Sequence, residues 1–149
     1  MENGFTDNLL GKETLDMEEE LTKKMELGKF LQDHQESFVD YEMADLLGKM
    51  IDEKKISKAE LARRAQMSDI YLFQILGGRR SPSRDRLLCI CIGMECTLPE
   101  TRDLLKKGRF ADLYARDRRD AIVMFALDKG WSLRECNEAL YEAGEKTLV

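Results

Sequence analysis

Proline occurs twice in these 149 residues, and histidine and tryptophan once each. With so few prolines little interrupts a helix, and no run alternates apolar with polar residues as a half-exposed strand would. An all-α protein is expected. No apolar run approaches the roughly 18 residues of a membrane span, and the opening "MENGFTDNLL" lacks the basic-then-apolar order of a secretory signal. We expect a cytoplasmic protein with no membrane partner. The single histidine, His34 in "LQDHQESF", has no matched nucleophile or second base and suggests no triad. Cys89, Cys91, Cys96 and Cys136 do not form paired C-x-x-C knuckles, and three of them lie among Leu, Ile and Met. Reduced, buried thiols are expected, with no metal and no cofactor. Because no acids, bases or ligands converge at readable spacing, the sequence does not read as an enzyme.

What is present is charge, unevenly spread. Residues 1–40 hold 4 Lys/Arg against 11 Asp/Glu, residues 41–88 hold 10 against 7, and residues 89–149 hold 10 against 11. The overall pI of 5.1 therefore reflects an acidic N-terminal arm, and the basic middle third is compatible with a polyanionic partner.

Residues 1–13 are Gly- and polar-rich and read as a frayed end. Leu15, Leu21, Met25, Phe30 and Leu31 then recur at near-helical spacing, giving an acidic amphipathic helix weakened at Gly28. Asp40 can cap a helix whose core face is Met43, Leu46, Leu47, Met50 and Ile51, ending near "DEKK". Ser57-Lys58-Ala59-Glu60 has the form of a capping box and opens a short helix to about Ala65 with Leu61, Ala62 and Ala65 inward. Ser68 caps another, to about Leu76, stopped by Gly77-Gly78. Arg79-Arg80-Ser81 forms a loop, and Pro82 suits the first turn of the helix containing "RLLCICIGM".

The second half repeats itself at an offset of 35 residues. Arg84-Asp85 matches Arg119-Asp120, and Leu87, Leu88, Ile90 and Ile92 match Ile122, Val123, Phe125 and Leu127. Thr97-Leu98-x-Glu100 matches Ser132-Leu133-x-Glu135, both capping boxes, and Leu105 and Leu113 meet Leu140 and Leu148. Each unit reads as an apolar helix, a short connector and a capped second helix. The recurring Arg–Asp pair is expected to cap or salt-link its own helix start. "YARDRRD" (Tyr114–Asp120) carries arginines balanced by Asp and reads as a structural loop.

The strings "ISKAELARRAQMS", "DIYLFQIL" and "GGRRSPSRDRLLCICIGMECTL" resemble the helix-turn-helix of the Cro and phage-repressor type, the XRE family, over about residues 40–98. The resemblance implies a five-helix repressor-like module, so the expected organisation is an acidic arm (1–39), a helix-turn-helix module (40–98) and a C-terminal helical extension of two hairpin repeats (99–149). It further implies a bacterial-type transcriptional regulator that reads double-stranded DNA in the major groove with helix 69–76, as a homodimer on two half-sites. Carried over by position, Asp69, Ile70, Phe73 and Gln74 face bases while Leu72 and Ile75 pack inward. Ser57, Lys58, Ser68, Arg79 and Arg80 hold phosphates, with Arg63 and Arg64 nearby on the preceding helix. Gln66 stands where the family usually has glycine, so a left-handed residue with a side chain is expected in the turn. A second reading keeps the fold but makes it a protein-interaction adaptor that binds no DNA. Its basis is the acidic arm, the outward Ile70 and Phe73, and the helical repeats, which offer partner surfaces through the arm or the C-terminal helices.

Overall fold

The computed structural model describes residues 14–15, 17–19, 26–33 and 39–149, which fall into two units, the first within residues 1–38 and the second from Val39 to Val149. In the first unit helix α1, Leu27–Asp33, has Gly28 in its first turn and leaves Leu27 and Leu31 exposed. Leu21, Met25, His34 and the stretch 1–13 lie outside the described residues.

The second unit consists of α2 (Val39–Lys54), α3 (Lys58–Arg64), α4 (Asp69–Leu76), α5 (Arg84–Gly93), α6 (Leu98–Lys107), α7 (Arg118–Lys129) and α8 (Leu133–Glu142). No strand occurs among the described residues, so the all-α expectation holds. One core runs through all seven helices, from Met43 and Leu47 through Leu61, Leu72 and Ile75 to Leu88, Leu105 and Leu140. Helix α5 is its axis: Leu87 to Gly93 are all buried, and α3, α6, α7 and α8 pack against it.

The helices are joined by one device used four times. The last turn ends in a residue with positive φ: Lys55 (55°), Gln66 (54°), Glu95 (56°) or Gly130 (68°). An apolar residue follows, Ile56, Met67, Cys96 or Trp131, and then a hydroxyl residue, Ser57, Ser68, Thr97 or Ser132, whose side chain accepts the backbone N–H three residues on. The left-handed residue closes the old helix and the hydroxyl opens the new one two residues later. Three of the four left-handed positions carry side chains, each at a cost of about 1 kcal/mol.

Local details differ from expectation. Helix α2 starts at Val39, so Asp40 lies inside its first turn. Ser57 accepts the Glu60 N–H, but the Glu60 carboxylate is taken by Arg63 and Arg64 instead of returning to the Ser57 backbone, so this capping box is half formed. Two guanidinium groups three and four residues on outcompete one neutral N–H. Full boxes form at Thr97/Glu100 and Ser132/Glu135. Gly78, not Gly77, is left-handed after α4, and Pro82 precedes the cap Ser83 of α5.

The 35-residue repeat extends to single hydrogen bonds. Arg109 N–H donates to the Lys106 carbonyl as Gly144 N–H does to that of Tyr141, and Phe110 N–H to Leu105 as Glu145 N–H to Leu140. The Arg–Asp pairs depart from expectation in their partners. Arg84 donates to both carboxylate oxygens of Asp120, at 3.1 Å each, and to the carbonyls of Ala111 and Asp112. Arg119 donates to both oxygens of Asp85, at 2.9 and 3.0 Å, and to the carbonyls of Lys146 and Thr147. Each arginine thus ties down the tail of its own repeat and grips the aspartate of the other. Residue i meets j and j meets i, the reciprocity of a two-fold contact.

All four thiols are buried and free. Burial pushes Cys89 up to about 12 and Cys136 up to about 11, while the neighbouring Cys96 and burial raise Cys91. In an unfolded chain thiols ionise near pH 8.5, so above that pH the unfolded state holds fewer protons than the native state and native stability falls. We expect the thiol contribution to be complete below about pH 8.5 and to be lost as pH rises towards about 11–12, read as a falling urea midpoint. At neutral pH a thiol-specific reagent should label the chain only as fast as it unfolds, and prompt labelling of Cys89 or Cys136 would contradict this burial.

Candidate nucleic-acid interface

Helix α4 is short and carries its own anchors. Leu72 and Ile75 are fully buried, Ser68 accepts the Tyr71 N–H at the start, and Gly77 and Gly78 end it. The opposite face points outward, with Ile70 69% and Phe73 46% exposed. Asp69 is also exposed at the first position of the helix, where a carboxylate complements the helix dipole. Gln74 is half-buried, on the flank of the face, and its backbone carbonyl accepts the N–H groups of Arg79 and Arg80, at 2.9 and 3.2 Å. The expected base-facing set is therefore split: Asp69, Ile70 and Phe73 face outward, while Gln74 stands at the edge.

Cationic groups border this face. Lys58, at the start of α3, places its ammonium 5.8 Å from the centre of the Phe73 ring, so an outward aromatic is covered by positive charge. Arg80 lies 5.5 Å and Arg86 6.0 Å from the centre of the Tyr71 ring. Arg86 also donates to the Gln66 carbonyl, at 3.5 Å, which uses one of its five N–H groups. Arg79 and Arg80 sit in an exposed loop directly after α4. Ser57 and Ser68 use their hydroxyl oxygens as helix caps, which leaves each O–H free to donate.

Arg63 and Arg64 contribute less. Both bind Glu60, and Arg64 also reaches the Gly93 carbonyl and Glu95, so much of their charge is neutralised within the fold. The same contacts hold the Glu60 carboxyl below its usual range, through hydrogen bonds from Arg63 and then Arg64.

The sequence reading missed Arg86 and Tyr71. Arg86 is delivered from α5, and its place beside the α4 face depends on the packing of α3, α4 and α5 together. Its signal in the sequence is adjacency alone, directly after the Arg84-Asp85 pair. Among the described residues no cluster of His, Cys, Asp and Glu could hold a metal ion, and no helix is long and apolar enough to cross a membrane.

Comparison with known proteins adds no relative: no family model, no curated protein and no solved structure matches this chain.

Proposed function

We propose that this chain is a DNA-binding transcriptional regulator of the XRE type, whose helix α4 enters the major groove of duplex DNA in a two-copy complex. The observation that carries the reading is the outward face of α4, anchored from beneath by Leu72 and Ile75 and bordered by Lys58, Arg79 and Arg80. On this reading Ile70 lies against a thymine methyl and Gln74 reaches a base edge from the flank of the helix. Lys58, Arg79, Arg80 and the caps Ser57 and Ser68 hold phosphates, with Arg86 added to that set. Asp69 supports the helix and accepts at most from a cytosine amine.

The test is selection of bound duplex from a random pool at two salt concentrations, followed by titration of the recovered sequence. An Arg79→Ala/Arg80→Ala double variant is expected to bind at least about tenfold more weakly, with a salt dependence shallower by about two phosphate contacts. Equal affinity in the double variant, or no duplex binding by the parent at about 50 mM salt, would overturn the proposal.

The exposed Ile70 and Phe73 favour a second reading, in which α4 docks on a protein. Loss of a protein partner in Phe73→Ala, with duplex binding absent throughout, would select it.

A further inference from the structure

The two repeats share a backbone but not a covering. In the first, Leu87, Ile90, Cys96 and Leu104 are all buried, with α3 packed on α5 and α2 on α6. Thirty-five residues on, the same positions are Ile122, Phe125, Trp131 and Ala139. There they line an open groove of about 310 Å³ together with Arg118 and Ala121, and Phe125 is 49% exposed. Among the described residues, the second repeat thus leaves open the face that its counterpart buries beneath helices.

The polar positions tell the same story. Glu100 closes the capping box of α6 and also receives Lys54 from the covering helix α2, at 3.0 Å. Its counterpart Glu135 closes the box of α8, but among the described residues no cation pairs with it. One position departs from the repeat. Gly93 lets α3 approach so closely that an added Cβ would meet the Ala65 nitrogen and Leu61 at 3.3 Å, and its counterpart is the exposed Asp128. At that position a second α3 would meet the Asp128 side chain, so it could not approach as closely as α3 does at Gly93.

A face with a shallow apolar centre and both charges on its borders remains. Arg118, Lys129 and Arg134 accompany Glu135, Glu138 and Glu142 along α7 and α8, and only the Arg134–Glu138 pair, at 3.5 Å, joins the two sets among the described residues. A border that carries both signs offers each of its charges an opposite partner on a second copy of the same face. We propose that the α7–α8 face, centred on Phe125 and Trp131, is a homodimer contact, in which a second copy of this chain covers the groove and its basic residues meet Glu135. The exposed Tyr141 lies on the same helix as the Glu135 side of the border and would join the contact.

This supplies the contact for the two-copy complex proposed above and rests on that reading only there. It is tested without DNA, so the two can fail separately. Trp131 is the chain's one tryptophan, which makes its emission a direct report on the groove. Sedimentation of the full chain from about 1 to about 100 μM should show a monomer–dimer equilibrium, with Trp131 emission moving to shorter wavelength as dimer forms. Phe125→Asp should weaken the dimer at least about tenfold while retaining the parent's helical circular dichroism, and Tyr114→Ala, an exposed aromatic that does not line the groove, should leave it unchanged. A parent that is monomeric at about 100 μM, a Trp131 signal independent of concentration, or an undiminished dimer in folded Phe125→Asp would each overturn the assignment.

Discussion

Asp120→Ala should lower stability by about 3 kcal/mol, a drop of roughly 10 °C in melting temperature for a chain of this size. Asp120 is the one buried charged residue among the described residues, and its carboxylate accepts two bonds from Arg84 and one from the Tyr114 N–H. Removing it leaves a guanidinium with little water and one backbone donor without a partner, and those stranded groups account for most of the cost. Asp85→Ala breaks the equivalent link to Arg119 and should cost about half as much, because the two arginines are equally covered but the Asp85 side chain is 25% exposed where that of Asp120 is 11% exposed and also holds the Tyr114 N–H. A double-mutant cycle on Arg84 and Asp120 separates coupling from packing. If Arg84→Ala and Asp120→Ala add independently, the link across the repeats is not what the aspartate contributes.

Leu61→Ala should be comparably severe, at about 2–5 kcal/mol in urea unfolding. Leu61 is fully buried where α3 meets α5, with its side chain against the Gly93 position. The site cannot collapse freely, because the short helix α3 is held at both ends, by the Ser57 cap and by the left-handed Gln66. Truncation therefore leaves most of its volume as a void. The effect should also reach function on the DNA reading, since α3 fixes the position of α4. Duplex binding by Leu61→Ala should weaken even where the variant remains folded, and a variant that loses less than about 1 kcal/mol would show that α3 can slide into the space.

Much of the fold was legible because helices announce themselves locally. The full boxes at Thr97 and Ser132 need only a few neighbouring residues to read, whereas the inward Leu72 and Ile75 and the left-handed Gln66 were expected from the helix-turn-helix resemblance. The partners of Arg84 and Arg119 were misassigned because a local rule, an Arg–Asp pair serving its own helix, was applied where the structure joins residues 36 and 34 apart in sequence. Phe125 matches Ile90 in the repeat yet is exposed where Ile90 is buried; periodicity gives the face a residue is on, and only tertiary packing says whether another helix covers that face. Lys55, Glu95 and Arg109 take positive φ without a glycine to mark them. At the candidate interface the outward Ile70 and Phe73 followed from the resemblance, position by position, whereas Lys58 over Phe73 and Arg86 beside Tyr71 join residues from different helices.

The crossed Arg–Asp links have the form of a contact between two identical subunits, yet both halves lie on one chain, with only residues 114–117 between the first repeat's tail and the second repeat's first helix. Tethering converts a bimolecular encounter into an intramolecular one, at an effective concentration in the millimolar range for a short connection. The links therefore form at any dilution of the protein. Cutting the chain within residues 114–117 would turn the same surfaces into an association that dilution can dissolve.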